Sequence, residues 1–278
     1  MIAWLKKGNA AVVTGGANGI GLAAAQRFLA EGMNVLIADV DQNALESAKD
    51  VLGSHSGELI TQFCDVTDAS QVEELKQIAY KSFGRVDCLM NNAGASVTSA
   101  LPWEDLNGWK KQVDINLWGI IHGCHAFIPS MLESDESVAV INTGSKQGIT
   151  NPPGGYAYNM SKAALINYTQ SVAHGLRQIE DCPVSAHLLV PGFTYTAMIS
   201  KFIPEKPPGA WTATEVIDFM IASLAKDDFY IICPDNETPR DLDNKRMQWA
   251  MDDLINNRPA LSRWHTDFTA AYEAFLAE

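Results

Sequence analysis

The sequence nowhere runs to the ~20 consecutive apolar residues that cross a bilayer, so a membrane-spanning helix is excluded. Its opening, Met1 to Lys7, leads through the short run Ala10–Val13 into a glycine cluster and lacks the apolar stretch and small-residue cleavage site of a secretory signal. A cytoplasmic protein is expected. Cysteine is scarce: Cys64, Cys88, Cys124, Cys182 and Cys233 are odd in number, widely spaced and free of any Cys-x-x-Cys pattern, which excludes a disulfide framework and points to reduced thiols. Basic residues are in deficit, 20 against 33 acidic ones, for a net charge of −13. Without a basic run or arginine stripe the surface repels nucleic acid and anionic lipid, and a small-molecule partner is expected. His122 and His125 are three apart, but no second cluster completes a coordination shell, so no metal is expected.

What the 278 residues do contain is alternation. Short apolar, β-branched segments near Ala10–Val13, Asn34–Ala38, Leu59–Phe63, Val86–Met90, Val138–Asn142, Ser185–Val190 and Tyr230–Cys233 are separated by segments of helical period. Helical patterns cover Gly19–Glu31, Ala69–Phe83, Trp109–Ser134 and Ala157–Arg177, the last two apolar on more than one face. This is how parallel βαβ units read, and it predicts an α/β fold: a doubly wound, parallel, seven-stranded sheet of Rossmann type with helices on both faces. Residues 1–233 are assigned to this domain. Residues 234–278 form a helical C-terminal extension with stripes at Met247, Met251, Leu254 and at Trp264, Phe268, Tyr272, Leu276, packed on the same domain or on a neighbouring subunit. The proline-rich stretch Pro204–Gly209 reads as a loop rather than a linker.

Two constellations carry chemistry. The first strand runs into Thr14-Gly15-Gly16-Ala17-Asn18-Gly19-Ile20-Gly21 and then a helix, the setting in which a pyrophosphate meets helix-end N–H groups. Asp39 follows 18 residues beyond Gly21, at the end of the second strand. A carboxylate there accepts hydrogen bonds from ribose hydroxyls and repels a 2′-phosphate, and no Arg or Lys between Gly15 and Gly21 offers a counter-charge. NAD is therefore favoured over NADP. The second constellation, Tyr158-Asn159-Met160-Ser161-Lys162, opens a predicted helix, where residues four apart share a face. A neighbouring ammonium stabilises a phenolate, so such a pair can take a proton from an alcohol. Tyr156 lies six residues from Lys162 and faces away from it.

Read in order, Thr14 to Gly21, Asn91-Asn92-Ala93-Gly94, Tyr158 to Lys162 and Pro191-Gly192 resemble the motifs of the short-chain dehydrogenase/reductase family over roughly Ala10 to Thr196. The resemblance implies Tyr158 as general acid/base, Lys162 lowering its pKa and binding the nicotinamide ribose, and Ser145 orienting the substrate oxygen. It implies Asn116, within Ile115–Gly119, as a fourth catalytic residue acting through a backbone-held water. By the same resemblance Gly15, Asn18, Gly19, Ile20, Gly21, Asp39, Ala93 and Gly94 bind the cofactor; so do Asp65 and Val66 near the adenine, and Asn91 beside the adenosine ribose. The turn Pro191–Thr196 resembles the carboxamide clamp, with Pro191, Gly192, Thr194 and Thr196 as contacts. Gly144-Ser145 stands where the family pairs two serines.

These residues imply reversible hydride transfer between a secondary alcohol and its ketone with NAD. The apolar segment from Ala197 through Trp211, inside a substrate loop at about 194–215, suits a hydrophobic aromatic or alicyclic substrate. Two other readings stand beside it: a 3-oxoacyl thioester reductase of the same family, and a non-catalytic NAD-binding scaffold. The family commonly assembles as dimers or tetramers, so a homo-oligomer is expected, with the extension standing where many members end.

Overall fold

The computed structural model describes residues 2–53, 55–200 and 203–277. In chain order the elements are β1 (Ala10–Thr14), α1 (Gly19–Ala30), β2 (Asn34–Asp39), α2 (Gln42–Leu52), β3 (Leu59–Phe63), α3 (Ala69–Phe83), β4 (Cys88–Asn91) and α4 (Leu106–Val113). A π-helical turn (Asp114–Trp118), α5 (Gly119–Met131), β5 (Val138–Thr143), α6 (Gln147–Thr150), α7 (Tyr156–Leu176) and β6 (Val184–Val190) follow. Next come β7 (Thr194–Tyr195), α8 (Ala197–Ser200), β8 (Trp211–Thr212), α9 (Ala213–Leu224), β9 (Tyr230–Ile232), α10 (Arg240–Ile255) and α11 (Thr269–Ala277).

Seven strands form one parallel sheet in the order β3-β2-β1-β4-β5-β6-β9, and β7 and β8 make a small pair outside it. Both sheet faces are apolar, so helices cover each of them. Alternate side chains of each strand enter opposite layers: Val13, Ile37 and Met90 pack with Phe28 of α1 and Met220 of α9, while Val12, Leu36 and Leu89 pack with Leu75 of α3 and Phe127 of α5. Strand β1 pairs with both β2 and β4, so the chain winds away from it in both directions. The crevice at the carboxyl ends of β1 and β4 is where such sheets receive ligands.

The seven expected strands all occur, and two expected helical segments are subdivided. Trp109–Ser134 resolves into α4, the π-helical turn and α5, because the extra residue of a π turn re-phases the helix around the buried Asn116. The stripe Trp264, Phe268, Tyr272, Leu276 is not one helix: Ser262–Trp264 and Thr266–Phe268 are 3₁₀ turns, and only α11 is α-helical. Leu261 in a left-handed conformation (φ 58°) and the extended His265 interrupt it. Within the extension Trp249 is buried and packs edge-on against Tyr272 at 5.1 Å, and α10 lies against α6 of its own chain. No described helix is long and apolar enough to cross a membrane.

Candidate active site

The glycine-rich turn between β1 and α1 is shaped for a bulky anion. Gly15 and Gly19 have φ of +62° and +53°, a region L side chains rarely adopt. A Cβ on Gly15 would come within 2.8 Å of Ala93 Cα, and one on Gly21 would strike the Gly15 carbonyl oxygen. Asp41 and Asp68 cap the first turns of α2 and α3, whereas Asn18 makes no side-chain cap on α1. The N-terminus of α1 therefore keeps the donor-rich, partially positive character that a pyrophosphate needs. These features fit a dinucleotide.

Asp39 is aimed at this turn. Its Oδ2 accepts the Ala17 N–H at 3.2 Å and its Oδ1 the Asp41 N–H at 3.1 Å, which orients the carboxylate and leaves each oxygen further acceptor capacity. After β3, Asp65 Oδ1 accepts from the Thr67 N–H and hydroxyl at 2.9 and 2.8 Å. The Val66 carbonyl is held by His122 Nδ1 at 2.9 Å. His122 thus serves the backbone beside the cleft, while His125 is exposed.

The segment after β4 is tied to the turn by two side chains absent from the expected site. Thr14 Oγ1 accepts the N–H groups of Asn92 and Ala93 at 3.0 and 3.2 Å, and Asn92 Nδ2 donates to the carbonyls of Thr14 and Gly15 at 3.3 and 3.2 Å. Their presence inside the two motifs was the available signal. Asn91, one of the expected ribose contacts, sends its side chain the other way. It is fully buried and donates to Asn142 Oδ1 at 2.9 Å, and Asn142 donates in turn to Thr169 at 3.1 Å. Only the Asn91 main chain remains for a ligand.

Asn116 lies at the centre of the π-helical turn. Its side chain grips both polar groups of Ala95, accepting the N–H at 2.8 Å and donating to the carbonyl at 3.0 Å, and it also donates to Ser161 Oγ at 3.1 Å. Gln112, likewise fully buried and unremarked in the sequence, accepts the Val97 N–H at 2.7 Å. Together they fix Gly94, where a Cβ would sit 3.6 Å from Lys162 Nζ and 3.4 Å from Asn116 Oδ1.

Tyr158 and Lys162 are one turn apart at the start of α7. Lys162 is buried and its ammonium donates to the Thr143 carbonyl at 2.8 Å, 5.8 Å from the centroid of the Tyr158 ring. Burial lowers the Lys162 pKa to about 8. The Tyr158 phenol is pushed above its ordinary value, by burial, with a hydrogen bond from Ser145 pulling the other way. The pair alone predicts a lowered Tyr158 pKa; here burial raises it, and the opposing pull comes from Ser145. Ser145 is itself fixed, its Oγ accepting the Gln147 N–H at 3.2 Å.

On the far side of the cleft, Thr194 Oγ1 donates to the Gly192 carbonyl at 3.2 Å, and Thr196 approaches the glycine-rich turn, where a Cβ on Gly19 would meet its side chain at 3.2 Å. Pro191 accepts the Lys146 N–H at 3.1 Å. Trp211, expected in the substrate loop, packs instead on Phe219 with rings 5.8 Å apart and donates to Asn236 at 3.0 Å. Lys201 and Phe202 of that loop lie outside the described residues.

Sheet order, glycine-rich turn and tyrosine–lysine pair together define a Rossmann-type oxidoreductase. Residues 9–207 match the family model described as short chain dehydrogenase, and the chain belongs to that family. It is 33% identical over 191 residues to 3beta-hydroxysteroid dehydrogenase 2 of Eggerthella lenta, covering 68% of this chain and 72% of that one. It is 31% identical over 227 residues to 1-deoxy-11-beta-hydroxypentalenate dehydrogenase of Streptomyces avermitilis, covering 80% and 83%. A short-chain dehydrogenase/reductase from Burkholderia phymatum, solved in complex with NAD, superposes with a TM-score of 0.82 at 30% identity, over 93% of this chain and 97% of that one.

Proposed function

We propose that the protein catalyses reversible NAD-dependent hydride transfer between a hydrophobic secondary alcohol and its ketone, with Tyr158 as general acid/base. The observation that carries the reading is the half-buried Tyr158 with Ser145 beside it and Lys162 one turn away, the Lys162 ammonium reaching Gly94 next to the Ala93 that the Gly15 turn meets. Relatives whose names are those of hydroxysteroid and hydroxypentalenate dehydrogenases support a bulky alicyclic alcohol, and the NAD complex of the Burkholderia phymatum protein supports the cofactor.

Gly15 and Asn18 to Gly21 would hold the pyrophosphate, Asp39 the adenosine ribose, Asp65 and Val66 the adenine, and the main chain of Asn91, Ala93 and Gly94 the neighbouring sugar. Lys162 would hold the nicotinamide ribose, and Pro191, Gly192, Thr194 and Thr196 the nicotinamide. When bound, NAD⁺ supplies the hydride acceptor. Ser145 donates a hydrogen bond to the reacting oxygen and offsets the negative charge that gathers there, while Tyr158, as its phenolate, takes the hydroxyl proton and becomes the phenol. Asn116 acts by rigidity, since its amide is committed to Ala95 and Ser161. The positive charge of Lys162, in a site that burial keeps at low dielectric, favours the phenolate as the proton transfers.

The same reading includes a cytoplasmic, homo-oligomeric enzyme, supported by five free thiols and by Trp118 and Met160, exposed on the π turn and α7. Fluorescence titration with NADH and NADPH, followed by oxidation of a panel of bulky secondary alcohols with NAD⁺, tests it. Tight NADH binding with turnover supports the dehydrogenase; binding without turnover across the panel favours a scaffold.

A further inference from the structure

Lys146 follows Ser145 directly, and no motif includes it. Its side chain is only 13% exposed, and its ammonium lies 2.6 Å from Asp243 Oδ2 on α10 and 3.4 Å from Asp235 Oδ2 in the segment after β9. Both carboxylates are buried, at 5% and 8% exposure. Asp235 Oδ2 also accepts the Phe193 N–H at 3.3 Å, and the Lys146 N–H donates to Pro191. Gly192 makes this convergence possible: a Cβ there would sit 2.9 Å from Asp235 Oδ2 and 3.0 Å from Lys146 Nζ. Three segments remote in sequence thus meet at one ammonium: the Ser145 loop, the Pro191–Phe193 turn and the C-terminal extension.

A buried ion cluster of this kind adds little net stability, because desolvating the charges offsets most of their attraction. What it does supply is a single geometry, since each buried charge tolerates only a position facing its partner. We propose that Lys146 is a positioning residue, through which the C-terminal extension sets where the Ser145 hydroxyl stands against Tyr158. The proposal rests on the reading of Tyr158 as acid/base, yet its signature can be measured without turnover. A hydroxyl placed to donate to a phenolate favours it, and Ser145 is the group beside Tyr158 that acts in this sense, so a Ser145 loop released from α10 lets the Tyr158 pKa climb.

Lys146 faces Asp235, Asp243 and the Cys233 thiol; Asp243 also faces Arg246, one turn on, and Arg263 of the 3₁₀ turn. Tyr158 faces Ser145 and Lys162.

The test compares wild type with Asp243→Asn, with Asp241→Asn on the same helix as a solvent-facing control, in the full-length protein. Tyrosine ring-carbon NMR, with the Tyr158 signal identified by its loss in Tyr158→Phe, follows the phenol through its titration. In Asp243→Asn the Tyr158 pKa rises, kcat falls about tenfold or more and the KM for NAD⁺ stays within about twofold, as misplacement of an orienting group demands. Asp241→Asn matches wild type. If Asp243→Asn does not fold, Lys146→Met with Asp235→Asn and Asp243→Leu removes the tie without leaving a buried charge in the cluster, and the same shift is expected. A Tyr158 titration unchanged in the folded variant overturns the proposal, whatever the rate does. Absence of turnover in wild type, with the titration still shifted by Asp243→Asn, sinks the dehydrogenase reading and leaves the coupling standing.

Discussion

The ammonium of Lys162 donates to the Thr143 carbonyl at 2.8 Å and stands 5.8 Å from the centroid of the Tyr158 ring, so the cation that assists the phenol is anchored to the end of β5. An anchored charge can act on Tyr158 without reorganising, and its burial destabilises the fold.

That cost gives a prediction with a definite sign. Burial lowers the Lys162 pKa from 10.5 to about 8, so between those pH values the unfolded chain binds more protons and stability rises with pH. Below pH 8 the whole penalty is present, about 3 kcal/mol from the shift. Lys162→Met, which forfeits a charge-assisted hydrogen bond to Thr143 worth about 1.5–3 kcal/mol, is therefore at least as stable as wild type at pH 7, by up to about 1.5 kcal/mol. The advantage disappears as the pH climbs through the window. Urea unfolding of both proteins at several pH values measures it, and a variant less stable than wild type at pH 7 would show that the ammonium is better solvated than its burial implies.

Asp39 gives the second prediction. Removal of its carboxylate takes away the acceptor for ribose hydroxyls, and Asp39→Ala weakens NADH binding about 10- to 100-fold, the worth of hydrogen bonds to a charged group. NADPH, no longer repelled, loses less or gains. Parallel fluorescence titrations read both ligands; equal losses for the two would mean that Asp39 supports the turn through Ala17 and does not discriminate.

Thr14 is the residue to perturb for the cleft's internal ties. Thr14→Val keeps the shape and removes the acceptor of two N–H groups, those of Asn92 and Ala93. A loss of about 1–3 kcal/mol in unfolding free energy is expected, together with weaker NADH binding as the Asn91–Gly94 segment loosens. Thermal and urea unfolding measure the first, and fluorescence the second. Unchanged stability would mean that water replaces the hydroxyl.

Much of this architecture was legible in the residues because local pattern and tertiary role agree. Ala10–Val13 and Val138–Asn142 read as strands of a parallel sheet, and each lies in a strand whose every residue is buried. Glycines at 15, 19 and 21 are forced by backbone geometry, which sequence expresses directly. Roles that depend on which way a side chain turns were not legible: Asn91 enters the core to meet Asn142, and Gln112 and Asn116 clamp a loop that lies 15 to 21 residues away in sequence. Lys146 was opaque for the same reason, as its partner Asp243 is on a helix nearly a hundred positions later, where neither spacing nor periodicity links them.

The central claim is that Tyr158 transfers the proton while hydride passes to NAD⁺. The most direct measurement is the initial rate of NADH formation from a bulky alicyclic secondary alcohol by wild type and by Tyr158→Phe, with NADH binding measured on both. Comparable NADH affinity is expected in the two proteins, with a rate in Tyr158→Phe lower by about 10²–10⁴-fold, the contribution of a positioned acid/base group. Undiminished turnover in Tyr158→Phe would contradict it and assign the proton to another residue.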